Sequence, residues 1–100
     1  LHNGRVANAA STRDMLAILE AQAFNDEIPA GLPKGTRVAH KTGSITATLH
    51  DAGLVYPTAR APYAIAILTR GIPDGKVAEA LIADCSRIIW EWLAAPASPQ

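Results

Sequence analysis

The sequence is poor in cysteine and carries no net charge, and both features exclude some classes of protein. Its 100 residues include one cysteine, Cys85, so no disulfide forms within the chain and cysteine pairing does not indicate the compartment. Nine basic and nine acidic residues cancel, which argues against a bulk electrostatic attraction to nucleic acid or to an anionic membrane surface. No apolar run approaches the roughly 20 residues that a membrane-spanning helix needs.

The composition is that of a folded chain, because 49% of the residues are hydrophobic. A chain of 100 residues suits at most one domain, and we find no internal repeat or low-complexity tract. The sequence starts at Leu1 with neither a methionine nor a signal-peptide pattern. We therefore expect a fragment or a processed product.

The first third of the chain predicts one helix. Ser11 and Asp14 have the spacing of a capping box, in which the Ser11 hydroxyl accepts a hydrogen bond from the Asp14 amide. Apolar residues then recur near helical spacing, which indicates a single buried stripe. They are Met15, Leu16, Leu19 and Ala23. The pattern predicts a lead-in over residues 1–10, a helix over residues 11–24 and a proline-containing connector over residues 28–33.

Three strands are predicted next, and they make up residues 36–70. They run from Thr36 to Thr42, from Thr48 to Tyr56 and from Tyr63 to Thr69, with a turn over residues 43–47 between the first two. The third strand is apolar enough to be buried on both faces. Because the connections are too short for parallel crossovers, the strands should form an antiparallel meander.

A long helix is predicted over residues 74–94, with Asp74 as its N-cap and residues 95–100 as a tail. Two adjacent apolar rows at helical spacing indicate the face that lies on the sheet. The rows are Val77, Leu81, Cys85, Ile88 and Trp92, and Ala78, Ile82, Ile89 and Leu93. Trp90 and Trp92 are interpreted as packing residues. The predicted fold class is α+β, an antiparallel sheet covered by helices.

The run from His40 to Ser44 carries the most informative chemistry. Lys41 supplies a fixed positive charge, Thr42 a hydroxyl, and Gly43 lets a ligand approach the backbone. These three residues form a compact site for an anionic substrate. The structural alternative is that Lys41 is a solvated lysine on an edge strand, where it opposes aggregation.

The flanks of this run resemble class A β-lactamase-like serine hydrolases, a superfamily that also includes penicillin-binding proteins. K-T-G is one of the three motifs of that family. The resemblance extends from about Asn8 to Leu93 and is carried by three segments. They are Asn8–Leu16, Gly31–Gly43 and His50–Pro57. It implies the C-terminal part of the β-lactamase or D,D-peptidase-like fold, in which further strands and a helical region belong to the rest of the domain.

The resemblance also implies a role for each residue of the run, and it implies no metal or organic cofactor. Lys41 would bind the substrate carboxylate and tune the hydroxyl of the attacking serine, and Thr42 would hydrogen-bond that carboxylate. Gly43 would keep the strand edge clear, and the Ser44 backbone N–H would complete the oxyanion hole. Lys41 and Ser44 are therefore the predicted catalytic residues, and Lys41, Thr42, Gly43 and Ser44 the predicted substrate-binding residues.

The family's nucleophile is not among these residues. None of the four serines is followed three places later by lysine, no S-D-N triplet occurs, and the deacylating glutamate is not identifiable. We therefore expect the chain to be the substrate-binding wall of a serine hydrolase that acts on β-lactams or related acyl amides through an acyl-enzyme. The segment alone should be inactive, its partner should be the rest of its own domain, and the family resemblance implies a periplasmic or secreted location.

Two departures from the family leave other functions open. Residues 45–49 lack the glycines that many β-lactamases have after K-T-G, and no arginine or lysine lies between Lys41 and Arg60. A non-lactamase acyl hydrolase and a D-Ala-D-Ala-type peptidase are therefore alternatives. A function of another class is a non-catalytic half-domain that pairs its exposed first strand with a partner chain.

Three further patterns resemble known sites but lack a required feature. Gly35–Thr42 nearly matches a P-loop, but His40 replaces the second glycine and Lys41 ends a strand instead of opening a helix. His50 and Asp51 are adjacent, as if in a catalytic triad, but neighbours on a strand point to opposite faces. A metal site from His40, His50 and Asp51 lacks the ligand spacing that such sites show.

Overall fold

The computed structural model describes residues 1–94, which form two α-helices, three strands and one 3₁₀ turn. The elements are α1 (Ala9–Glu20), the 3₁₀ turn (Pro29–Gly31), β1 (Arg37–Ile45), β2 (Thr48–Tyr56), β3 (Tyr63–Arg70) and α2 (Gly75–Ala94). The strands form one antiparallel sheet in the order β1-β2-β3, which confirms the predicted α+β class and the meander. The predicted tail, residues 95–100, lies outside the described residues. Neither helix described here is both long and apolar enough to cross a membrane.

Helix α1 begins before the predicted capping box and ends before residue 24. Asn8 is the N-cap, and its Oδ1 accepts from the Ser11 backbone N–H at 2.8 Å. Ser11 therefore lies inside the first turn, and the prediction that it caps the helix is wrong. The Asn8 side chain thus satisfies the N3 amide of the helix, which would otherwise bond only to water.

Helix α2 begins where it was predicted. The Asp74 Oδ1 accepts from the Lys76 backbone N–H at 3.0 Å, and the Asp74 carbonyl accepts from the Ala78 N–H at 3.1 Å. The first contact satisfies one of the amide groups that a helix start leaves unpaired, and the second is the first hydrogen bond within the helix. The helix then continues to Ala94.

Strands β1 and β2 are joined by a two-residue turn, Thr46–Ala47, and not by the predicted turn over residues 43–47. Pairing continues through Gly43 opposite His50 to Ile45 opposite Thr48. The turn places Ala47 at φ 51°, a left-handed conformation that costs a residue with a Cβ about 1–2 kcal/mol. The K-T-G residues consequently lie within a paired strand and not at its end.

The core lies between α2 and one face of the sheet. Ile82 of α2 packs with Val38, Val55 and Ile28, the last from the loop that follows α1. Gly31 allows the 3₁₀ turn to approach α2 closely, because a Cβ at this position would lie 2.0 Å from the Ala83 carbonyl oxygen. The loop between α1 and β1 is thereby held against α2.

Strand β3 is buried on one face only, so the prediction of two buried faces is wrong for the described residues. Tyr63, Ile65 and Ile67 pack against the core, whereas Leu68 is 71% exposed. Side chains alternate along a strand, so the exposed face is the one opposite α2. No layer covers that face of β3 within residues 1–94.

Only one of the two predicted apolar rows of α2 packs against the sheet. The buried positions are Ala78, Ile82 and Ser86. The other row is largely exposed, and its exposed members are Val77, Leu81, Ile88 and Trp92. Trp90 packs against the core as predicted, but Trp92 is 74% exposed, so its predicted packing role is wrong within the described part of the chain.

Candidate functional site

Strand β1 presents the K-T-G residues on two faces. Alternation along the strand puts Thr42 and Ser44 on the face that α2 covers, and Lys41 and Gly43 on the opposite face. The Lys41 ammonium donates to the Thr42 carbonyl oxygen at 2.6 Å. Its charge therefore stays beside Thr42 although its side chain leaves the strand on the other face.

Thr42, Gly43 and Ser44 line one open groove with a cavity of about 250 Å³. The loop after α1 forms a second wall with Phe24, Asp26 and Glu27, and Leu49 of β2 and Glu79 of α2 complete the lining. We call this cavity the K-T-G groove. The structure thus brings three of the four predicted site residues together.

Lys41 instead lines a larger cavity of about 510 Å³ on the opposite face of the sheet. Most of that lining is apolar, with Ala39, Ala52 and Leu54 among its members. The fourth predicted site residue therefore borders a different cavity, and its ammonium adjoins the groove only through the Thr42 carbonyl.

The wall of the K-T-G groove contains a buried carboxyl group that the sequence analysis did not single out. Glu27 is 4% exposed, and its Oε1 has no hydrogen-bond partner within residues 1–94. Burial, followed by the negative charges of Asp51, Glu79 and Asp26, raises the pKa of Glu27 to about 7, while the Lys41 ammonium lowers it. The charge of the groove therefore changes near neutral pH.

A second buried network lies directly beside the K-T-G residues. The His40 Nδ1 is 2.9 Å from Asp51 Oδ1, and its Nε2 is 3.0 Å from Asn25 Oδ1. The Asn25 amide nitrogen donates to the Gln22 carbonyl at 2.9 Å, which fixes the amide so that its oxygen faces the imidazole. The His40 ring therefore bridges the Asn25 amide and the Asp51 carboxylate.

Each oxygen of the Asp51 carboxylate has a partner. Oδ1 accepts from His40, and Oδ2 accepts from the Ile28 backbone N–H at 3.1 Å. Asp51 is 0% exposed and His40 is 1% exposed, so this pair is fully removed from water. The network ties β1, β2 and the loop after α1 together at the residue that precedes Lys41.

Gly53 makes room for this network. It lies opposite His40 across β1 and β2. A Cβ at Gly53 would lie 2.3 Å from the Ala39 carbonyl oxygen and 2.7 Å from the His40 Cβ. No side chain fits at this position without displacement of the backbone of β1.

The His40–Asp51 pair was missed by the sequence analysis because the predicted turn was too long. With the two-residue turn, His40 and Asp51 are diagonal neighbours on one face of the hairpin. The prediction that His50 and Asp51 point to opposite faces agrees with the pairing, since the His50 ring lies over Gly43 on the other face. Within residues 1–94 no group of three potential ligand side chains is placed to hold a metal ion.

Comparison with known proteins identifies the family. The sequence model described as the Beta-lactamase enzyme family matches residues 1–93. The carbapenem-hydrolyzing beta-lactamase KPC of Klebsiella oxytoca is 39% identical over 72 residues, which are 69% of this chain and 25% of that protein.

Solved structures agree with this match. The structure of PBP-A superposes with a TM-score of 0.83 at 31% identity over 92% of this chain and 35% of that chain. A beta-lactamase from Sphaerobacter thermophilus superposes with a TM-score of 0.83 at 32% identity over 95% of this chain and 37% of that chain. The chain thus spans 25–37% of the length of these relatives. By sequence and by fold, it belongs to the β-lactamase enzyme family.

Proposed function

We propose that this chain forms the substrate-binding wall of a serine hydrolase that acts through an acyl-enzyme. The observation that carries the proposal is the placement of Thr42, Gly43 and Ser44 along one open groove, with the Lys41 ammonium bonded to the Thr42 carbonyl. Membership of the β-lactamase enzyme family supports the same reaction class. The nucleophilic serine would come from outside these 100 residues.

Each wall residue would have one role. The Thr42 hydroxyl would hydrogen-bond a polar group of the substrate, and Lys41 would place its positive charge beside that group and beside the attacking serine. The Ser44 backbone N–H would donate to the oxyanion that forms when the serine attacks the carbonyl carbon. One such donor typically lowers the barrier by about 2.7–4 kcal/mol. Gly43 would keep this part of β1 in place, because a Cβ there would lie 2.3 Å from the His50 Nε2.

A β-lactam is the first substrate class to test, since one relative is named for carbapenem hydrolysis. A related acyl amide, cleaved by a non-lactamase acyl hydrolase or a D-Ala-D-Ala-type peptidase, is the second. One observation favours the second class. The residues that line the groove include the buried Glu27 carboxyl and neither a lysine nor an arginine.

The experiment is covalent labelling of the full-length gene product with benzylpenicillin, followed by mass spectrometry of the intact protein and its peptides. We expect one acyl adduct on a serine other than the four in this chain. Lys41→Ala should slow acylation by roughly 100-fold or more, because it removes the positive charge beside the attacking serine and beside the substrate group that Thr42 binds. Folding should be nearly unaffected, since Lys41 is exposed.

Two results would count against the proposal. One is a protein that forms no acyl adduct with β-lactams or with activated acyl amides. The other is a Lys41→Ala variant that acylates at the wild-type rate. The first result would favour the non-catalytic alternative, in which the edge of β1 pairs with a partner chain. We further propose a periplasmic or secreted location, as expected from the family, which fractionation of the producing cells would test.

A further inference from the structure

The Glu27 side chain is unusual because it is buried in a cavity wall without a partner. It is 4% exposed, and its Oε1 makes no hydrogen bond within the described part of the chain. An ionised carboxylate in such a position loses its hydration and gains no donor in return. The fold therefore leaves one strong acceptor unused in the groove that Thr42 and Ser44 line.

The charged groups around Glu27 do not supply the missing donor. Asp51 from β2, Glu79 from α2 and Asp26 from the same loop all raise the pKa of Glu27 with negative charge, and Lys41 of β1 opposes them with a positive charge. Asp51 is already paired with His40. The Lys41 ammonium is bonded to the Thr42 carbonyl. A ligand bound in the K-T-G groove would therefore lie next to an excess of negative charge.

We propose that Glu27 sets the charge selectivity of the K-T-G groove. Ionised, it favours a substrate that places a cationic or N–H group beside Thr42, and a substrate with a carboxylate at that place binds with the uptake of one proton by Glu27. This assignment rests on the proposed function, because it takes the groove to be the place where substrate binds.

The two states of Glu27 have opposite consequences for an anionic ligand. The ionised carboxylate repels it, and at a few ångströms this repulsion is only weakly screened in a buried site. The protonated carboxyl carries an O–H that donates to the ligand's carboxylate. Because burial raises the pKa of Glu27 to about 7, the affinity for an anion should fall about tenfold for each pH unit above 7.

The test compares two non-reacting probes that differ only in charge, N-phenylacetylglycine and N-phenylacetylglycinamide. Their dissociation constants for the full-length gene product are measured by calorimetry between about pH 6 and about pH 8.5. In the wild type, the ratio of the acid's constant to the amide's should rise about tenfold per pH unit above 7. Glu27→Gln should keep this ratio constant.

Glu91→Gln is the matched control. Glu91 is exposed on α2 and pairs with Arg87 at 3.7 Å, so its replacement makes the same change in net charge outside the groove. The control should reproduce the wild-type ratio at every pH. If Glu27→Gln does not fold, the wild-type ratio decides the test by itself.

Three results would overturn the assignment: a wild-type ratio that stays constant with pH, a Glu27→Gln ratio that rises as in the wild type, or no binding of either probe. The labelling experiment separates this failure from failure of the proposed function. If the protein forms the acyl adduct but its ratio stays constant with pH, the proposed function stands and the role of Glu27 is wrong. If the ratio rises but no adduct forms, the role of Glu27 stands and the proposed function is wrong.

Discussion

Asp51 on β2 and Glu27 in the loop after α1 are both buried carboxyl groups beside the K-T-G strand, but only one is fully bonded. Both oxygens of Asp51 have donors, from His40 and from the Ile28 amide. Glu27 has an oxygen without any donor within residues 1–94. Burial alone therefore does not define the role of a carboxyl group. The fully bonded group holds the strand in place, whereas the group without a partner is free to respond to a ligand and to pH.

The largest expected effect is the loss of the fully bonded pair. Asp51→Asn removes one carboxylate oxygen from the buried network with His40 and the Ile28 amide. A buried donor left without its acceptor costs roughly 1–3 kcal/mol of unfolding free energy, and more where a charge is involved. Urea denaturation of the full-length gene product at pH 7 measures it. Asp14→Asn, at an exposed position on α1, is the control and should be within about 0.5 kcal/mol of the wild type. A loss below about 1 kcal/mol for Asp51→Asn would contradict the pairing described here.

The space that the pair occupies provides the second test. Gly53→Ala places a methyl group 2.3 Å from the Ala39 carbonyl oxygen, so the backbone of β1 must shift at a cost of about 1–3 kcal/mol. The chain offers Gly75→Ala as a control, because nothing lies within 4 Å of a Cβ there. That control should leave thermal stability unchanged or slightly higher. Equal stability for the two alanine variants would show that Gly53 is not needed beside His40.

The third effect concerns the carboxyl group without a partner, and its size depends on pH, falling to nearly zero at low pH. Folding raises the pKa of Glu27 from 4.5 to about 7, so the folded state binds the proton more tightly than the unfolded state. The stability contributed by this proton is complete below 4.5 and is lost as pH rises through about 7. The free energy of unfolding of Glu27→Gln should therefore exceed that of the wild type by on the order of 1–3 kcal/mol at pH 8. At pH 4 the two should differ little or not at all.

Denaturation curves of both proteins at the two pH values measure this gain. A gain that is equal at both values would mean that folding does not raise the pKa of Glu27 above its ordinary value of 4.5. Glu27 would then differ from Asp51 in its hydrogen bonds but not in how its charge responds to pH. Glu91→Gln, at an exposed position on α2, makes the same change in net charge away from Glu27 and is the control.

Local sequence patterns predicted much of the fold and part of the candidate site. The alternation and apolar content of residues 36–70 predicted three strands in an antiparallel meander, and Asp74 marked the start of α2. These features depend on neighbours a few residues apart, which a sequence displays directly. The K-T-G run was recognisable for the same reason, since Lys41, Thr42 and Gly43 are consecutive.

Contacts between distant residues were not predictable in this way. The two-residue turn at Thr46–Ala47 has no glycine or asparagine to mark it, so the pairing of His40 with Asp51 stayed hidden. The exposure of Val77, Leu81 and Trp92 likewise depends on which side of α2 the sheet occupies. Both helical rows are apolar, and periodicity alone does not rank them.

By itself, the sequence determined the fold class, the strand that carries Lys41 and Thr42, and the family to which the chain belongs, because each of these rests on local spacing. Only the tertiary structure decided that Lys41 borders a different cavity from Thr42 and Ser44, and that Asp51 is bonded while Glu27 is not. The physical reason is that register and burial arise from packing between β1, β2, α2 and the loop after α1. These elements are far apart along the chain, and their packing sets which buried charges find partners.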